Sequence, residues 1–209
     1  MPMTTKSSSQ MPKTNSSIRS FYNRIASIYK LIDFFLKKEK VRLVKEISYE
    51  MKGCLLDIGI GSGTHLPYYQ NHKVVGIDLS ENMLCKAKAI KTHTDVVLKQ
   101  MDGELLSFKD NSFDYILIAH VLSVTTNPEK MISEAERVLK PNGKLYILNH
   151  NTPNNILKNI DKKFQFFANW FCFSSYFKVI EIKRLKHFQL INERTLDQFN
   201  YTKLFVYQK

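Results

Sequence analysis

The stretch Leu55-Leu56-Asp57-Ile58-Gly59-Ile60-Gly61-Ser62-Gly63 limits the possible fold more than any other part of this chain. Cys54, Leu55, Leu56 and Ile58 around a single acid read as a buried strand, and three alternate glycines follow at once. Glycine reaches backbone angles that side chains resist and lets a ligand approach the main chain. A strand running into such a loop and then toward a helix suits a nucleotide-like ligand lying across the strand ends of a sheet. Six of the seven glycines fall in or beside a few short motifs, so glycine here marks positions.

Short apolar runs then alternate with helical stretches. Strands are expected at 54–58, 73–77, 96–100, 113–118 and 144–149, and helices at 64–70, 81–90 and 129–139. The last helix meets Lys140-Pro141-Asn142-Gly143, which predicts a stop and a turn. Two later strands are expected at 179–184 and 203–207. Fully apolar strands alternating with helices imply a parallel sheet covered on both faces. Upstream, apolar residues from Ile18 to Phe35 recur at three- and four-residue steps, predicting a basic amphipathic helix. A second helix is expected over 39–51, stopping at Lys52-Gly53.

Two more elements fall at strand ends. Val75-Gly76-Ile77-Asp78-Leu79-Ser80 sets a lone acid 15 residues past Gly63, where it can accept both hydroxyls of a ribose. Met101-Asp102-Gly103-Glu104 follows the third strand, where an acid can meet an adenine amino group. A dinucleotide site would prefer G-x-G-x-x-G with a pyrophosphate on the helix N-terminus. Here the third glycine comes one residue early, and the Asp57 carboxylate repels phosphate but can receive a cation. The ligand implied is an adenosine with a positively charged tail, a description that S-adenosylmethionine fits.

With these motifs the sequence resembles the class I S-adenosylmethionine-dependent methyltransferases. The stretches LLDIGIGSG, VVGIDLSENMLCKA, MDGELLSFKDNSFDYI and EAERVLKPNGKL carry the resemblance over about residues 53–150. It implies an α/β fold: a Rossmann-like, seven-stranded, mostly parallel sheet with helices on both faces, the final strand antiparallel, plus the N-terminal amphipathic helix. It also implies that Asp57, Gly59 and Gly61 contact the methionine part, Asp78 the ribose and Asp102 the adenine. The full expected cofactor set adds Gly63, Leu79, Met83, Gly103, Glu104, His120 and Tyr22, with Tyr22 and Tyr29 the candidates to close over the cofactor.

The acceptor side rests on fewer residues. His120 follows the fourth strand and His150 the fifth; either can orient an amine or take its proton, since imidazole titrates near neutrality. Each can equally serve as an ordinary hydrogen-bonding group at the pocket mouth. His150, His120 and Tyr29 are the candidate catalytic residues. No Asn/Asp-Pro-Pro-Tyr follows the fourth strand, which argues against exocyclic-amine methylation of DNA or glutamine. The stretch HVLSVTTNPEKMISEAERVLKPNGKLYILNH is similar to the soluble-type bacterial phosphatidylethanolamine N-methyltransferases. Phe21-Tyr22-Asn23-Arg24-Ile25-Ala26-Ser27-Ile28-Tyr29 also resembles the opening of quinone C-methyltransferases, which is the alternative reading.

Charge bears on the partner. The chain has 31 Lys+Arg against 19 Asp+Glu, yet residues 53–150 hold 10 basic and 11 acidic side chains. Residues 1–52 hold 11 and 4, and residues 151–209 hold 10 and 4, so the excess lies in the flanks. A basic amphipathic helix can lie in a headgroup layer, each Lys or Arg contributing about 1 kcal/mol against anionic lipid. The aromatic run from Phe164 to Phe177 can wall an acyl groove, insert at the interface or form core. The expected partners are therefore an anionic membrane surface and an aminophospholipid, with no nucleic acid, for a monomer. Three cysteines without C-x-x-C, and no apolar run near 18–20 residues, predict a cytoplasmic protein peripherally bound to the inner face of the membrane. The expected organisation is a disordered tail (1–17), lid helices (18–52) and a catalytic domain (53–209) with an acceptor-side insertion at about 151–178.

Overall fold

Seven strands form one sheet: β1 (Gly53–Ile58), β2 (His72–Asp78), β3 (Val96–Gln100), β4 (Phe113–Ala119), β5 (Leu139–His150), β6 (Gln189–Thr195) and β7 (Thr202–Gln208). The computed structural model describes residues 29–150, 178–196 and 202–209, with side chains from Lys38 onward except that of His150. The expected tail, the helical stretch before Tyr29 with Tyr22, and the aromatic run of 164–177 lie outside the described residues, as do the side chains of Tyr29 and His150.

The strand order is β3-β2-β1-β4-β5-β7-β6. Strands β1 to β5 are mutually parallel, and β7 runs antiparallel to both β5 and β6. This is the expected seven-stranded, mostly parallel sheet. Chain order reverses between β1 and β4, which opens a crevice at the carboxyl ends of those strands.

Alternation along each strand divides the core between the two faces. Leu55, Leu117 and Leu204 turn to one face, under helix α1 (Tyr29–Ile47), the short 3-10 turn Leu66–Tyr68 and helix α2 (Glu81–Lys88). Leu56, Ile116 and Phe205 turn to the other, under helix α3 (Pro128–Val138) and the 3-10 turns Val179–Glu181 and Lys183–His187. Burial on both faces explains why β1 and β4 lack polar alternation. Full burial of each such aliphatic side chain stabilises the fold by roughly 1.5–3 kcal/mol.

Helix α1 is continuous through Lys38-Glu39, where two helices were expected to meet. Nothing in that stretch breaks a helix, and Leu43, Val44 and Ile47 carry the buried stripe onward. Its end is fastened to the sheet. The Ile47 carbonyl meets His72 Nε2 at 2.9 Å, the Met51 carbonyl accepts from Tyr115 Oη at 2.9 Å, and Glu50 accepts from Lys144 and Tyr146.

Three other expectations are corrected. The helix predicted at 64–70 shrinks to a 3-10 turn around Pro67, because His65 and Tyr69 both turn inward to one carboxylate. The strand predicted at 179–184 is instead a pair of 3-10 turns. Val179, Ile182, Leu185 and Phe188 are buried at a step of three, the period of that helix. Strand β6 was missed because it is an edge strand, exposed along most of its length, with no alternation to read. The turn expected at 140–143 survives as a register break in β5, with Asn142 at φ 63°.

Candidate active site at the carboxyl edge

Four loops meet at the carboxyl edge of the sheet, following β1, β2, β3 and β4. In the first, all three glycines have positive φ, at 74°, 61° and 72°, but for different reasons. A Cβ on Gly59 would stand 2.2 Å from Val121 Cγ2, and one on Gly63 would stand 2.8 Å from both Ala87 and Leu66. Those two glycines let the loop pack against β4's loop and helix α2. A Cβ on Gly61 would meet nothing within 4 Å, so Gly61 borders open space on the ligand side.

Asp57, the last-but-one residue of β1, is fully buried. Its Oδ2 meets His65 Nε2 at 2.6 Å and accepts from Tyr69 Oη at 3.0 Å. Its Oδ1 has no hydrogen-bond partner, and the Lys40 ammonium of α1 lies 4.0 Å away. Burial pushes this carboxyl up, but Lys40, His65 and Tyr69 outweigh burial and hold it below its ordinary range. Burial and Asp57 together push the Tyr69 phenol well up, so it stays a donor.

Asp78, at the end of β2, is only partly exposed, and its partners are main-chain amides. Gly61 N donates to Oδ2 and Ser80 N to Oδ1, each at 2.8 Å. Burial pushes the carboxyl up further than those amides and Lys40 pull it down. A carboxylate has about four acceptor sites, so both oxygens can still take ribose hydroxyls. Ser80 caps α2 by accepting from Met83 N, and the Met83 side chain is buried. Leu79 is partly exposed at the rim.

The third loop divides its residues. Asp102 caps its own turn, accepting from Glu104 N at 2.8 Å, and stays partly exposed where a base can reach it. Gly103 is packing: a Cβ there would stand 2.7 Å from Ile58 and 2.8 Å from Met131. Glu104, expected among the cofactor ligands, is buried and clamps the next loop instead. Its Oε1 accepts from Thr125 Oγ1 and Thr126 Oγ1 at 2.5 Å and from the amides of Thr126 and Asn127 at 2.9 Å. Burial raises that carboxyl, yet these donors hold it below its ordinary range.

His120, just past β4, is in a left-handed conformation, φ 60°, with its amide bonded to Leu148 O at 2.7 Å. A non-glycine residue there is uncommon, and such strain concentrates at functional sites. His150 closes β5, paired in register with Thr202, two strands from the switch point. Sequence reasoning missed His65, Tyr69 and Lys40. The first two stand four residues apart just past the glycine loop, a spacing that could have been read as two side chains returning to Asp57.

The donor set fits an adenosine carrying a cationic amino acid: an open glycine cradle, a ribose-reaching acid and a buried carboxylate oxygen with no hydrogen-bond partner. Comparison with known proteins agrees. Residues 56–147 match the family described as a methyltransferase domain. The chain is 38% identical over 103 residues to the phosphatidylethanolamine N-methyltransferase of Cereibacter sphaeroides, covering 47% of this chain and 51% of that one. It is 29% identical over 170 residues to the 2-phytyl-1,4-naphtoquinone methyltransferase of Nostoc sp., covering 75% of this chain and 72% of that one. A solved S-adenosylmethionine-dependent methyltransferase of Methanosarcina mazei has the same fold, with TM-score 0.63 at 22% identity over 78% of this chain and 95% of its own. The chain thus spans about half the length of the first of these relatives. Fold and site define a methyltransferase domain. Residues 56–147 carry the methyltransferase domain, and the site they build fits S-adenosylmethionine as cofactor.

Proposed function

We propose that the protein transfers methyl groups to the nitrogen of phosphatidylethanolamine and its methylated intermediates at an anionic membrane surface, acting as a monomer. The observation that carries this reading is the 38% identity to a phosphatidylethanolamine N-methyltransferase, above the 29% shared with the naphthoquinone enzyme. Two further features support it. The charge excess lies in the flanks, outside the cofactor-binding centre. In addition, Ile180 is 68% exposed next to Lys178 and exposed Lys183, whose amide is bonded to Glu129 in the first turn of α3. That turn stands at the carboxyl edge of the sheet, so an apolar and basic surface borders the site. No described helix is long and apolar enough to cross a membrane.

The chemistry asked of the chain is modest. When bound, S-adenosylmethionine supplies a methyl already activated on a sulfonium. Asp78 and Asp102 hold the nucleoside through its hydroxyls and amino group, and Asp57 Oδ1 faces positive charge. We assign to His120, just past β4, the removal of a proton from a headgroup ammonium, leaving the neutral amine as nucleophile. Exclusion of water and in-line alignment supply the rest of the rate.

A second reading, C-methylation of a quinone ring, is favoured by the breadth of the naphthoquinone relative's match, 75% of this chain against 47%. Incubation with methyl-labelled S-adenosylmethionine and a total lipid extract separates them. Label in phosphatidylcholine or its mono- and dimethyl precursors is expected; label confined to a quinone would replace the first reading with the second. Flotation with anionic vesicles tests the surface: binding should weaken with salt and with deletion of residues 1–38. Failure to float, together with tight RNA retention, would remove the membrane from the proposal.

A further inference from the structure

Glu104 joins two loops that face different parts of the reaction. On one side its amide donates to Asp102 Oδ1 at 2.8 Å, and the Leu105 amide donates to the Asp102 carbonyl at 3.1 Å, closing a tight turn. On the other side its carboxylate receives Thr125, Thr126 and Asn127 from the loop after β4. All four donors converge on Oε1, although one oxygen offers only about two lone pairs, so charge more than direction holds them. That loop begins at His120 and ends at Asn127, which caps α3 by accepting from Lys130 N at 3.0 Å. Its first part is fixed separately, by His120 N on Leu148 O and by Val121 against Gly59. Its last part is tied to the loop after β3 through Glu104.

A buried carboxylate is a costly fastener, since apolar contacts can hold a loop without desolvating a charge. What this acid adds is its place in the chain, two residues from the side chain assigned to the adenine. We propose that Glu104 is a positioning residue that couples the two sides of the site: adenosine seated on Asp102 fixes the turn at 102–105, and Glu104 passes that order to the loop carrying His120. The acceptor side is thereby completed once the cofactor has bound. Asp102 touches the ligand, and Glu104 touches only protein. Such coupling is reciprocal and typically amounts to about fivefold to 150-fold. It rests on the adenosine site alone and is the same whether the acceptor is a lipid amine or a quinone ring.

The test is amide hydrogen exchange of the full chain with and without saturating S-adenosylhomocysteine. The amides of Thr126 and Asn127, both bonded to Glu104 Oε1, report on the clamp directly. The Asn142 amide, bonded to Lys209 O at the opposite edge of the sheet, is the control. Ligand should slow exchange of Thr126 and Asn127 by about fivefold or more, with less than about twofold change at Asn142. Asp102→Asn keeps an oxygen for the Glu104 amide but offers the base a donor in place of an acceptor, so at saturation the slowing should disappear. Glu104→Gln should lower methyl transfer to whichever lipid the wild type labels by about tenfold to a hundredfold, with less than about fivefold loss of S-adenosylhomocysteine affinity. Equal loss of rate and affinity in that variant assigns Glu104 to the cofactor itself and overturns the coupling. Should Glu104→Gln not fold, the wild-type chain still decides: no slowing, or equal slowing at all three amides, refutes the proposal whatever the acceptor proves to be.

Discussion

The ends of β1 and β2 each present an aspartate to the same crevice, and the two carboxylates are held in opposite ways. Asp57 is enclosed by three side chains from two elements: Lys40 on α1, and His65 and Tyr69 flanking the 3-10 turn. Asp78 is held by two main-chain amides, Gly61 and Ser80, and keeps part of its surface open. One carboxylate organises the protein around itself, and the other is organised by the loop to meet a ligand. Sequence motifs set both acids side by side as ligand contacts; the packing around them adds a structural role to Asp57, through Oδ2, that Asp78 lacks.

Removing the two carboxylates should divide along that line. Asp57→Ala leaves His65, Tyr69 and Lys40 facing a buried void, and breaking such a set should cost about 3–5 kcal/mol. Urea unfolding is the measurement, and a midpoint unchanged from wild type would show that the cluster contributes nothing to stability. Asp78→Ala removes two amide acceptors at a partly exposed site, so unfolding free energy should move by no more than about 1 kcal/mol. Cofactor affinity should instead fall by at least about a hundredfold, as expected when two hydroxyls lose a charged acceptor. Retained binding would overturn the ribose assignment.

The glycines sharpen the comparison at smaller scale. Gly59 lies beside the Asp57 end, against Val121, and Gly61 donates to Asp78 beside open space. Gly59→Ala combines left-handed strain, about 1–2 kcal/mol, with overpacking of about 1–3 kcal/mol. Pairing it with Val121→Ala should return the packing part. Gly61→Ala should carry only the strain, yet weaken S-adenosylhomocysteine, because its methyl enters the ligand's space. If Gly59→Ala proves the milder of the two in thermal unfolding, the division of labour within the loop is wrong.

The same physics explains what could be read from the chain in advance. Strands β1 and β4 were legible because burial on both faces makes continuous apolar runs, the exposed edge strand β3 only from Val96-Val97-Leu98, and the acids because they stand at the ends of strands. The glycine loop was legible as a loop, but not the separate reason for each glycine, which depends on Val121, Leu66 and Ala87 arriving from elsewhere. Glu104 resembled a ligand because it follows Asp102, and only the arrival of Thr125–Asn127 reveals it as a clamp. The step of three from Val179 to Phe188 was visible but was read as a strand, since apolar residues near a chain end fit both patterns. Lys40 was out of reach altogether, because a lysine on an amphipathic helix looks like any solvated charge until the helix is placed over β1.

Acid titration gives the finest test of the difference between the two carboxylates. Asp57 is held below its unfolded value near 3.9, so its stabilisation is present above that pH and is lost as pH falls through its folded pKa. Asp78 is pushed above its unfolded value, so its contribution has the opposite sign. It favours the folded state below about 3.9 and is lost as pH rises through the folded pKa. With Asp78 assigned to the ribose as an ionised acceptor, lowering the pH should weaken S-adenosylhomocysteine before it lowers thermal stability. Calorimetry and thermal unfolding from about pH 7.5 to 4.5 should show the affinity falling first. The two curves falling together would mean that Asp57 and Asp78 titrate as one unit, and the contrast between the ends of β1 and β2 would be lost.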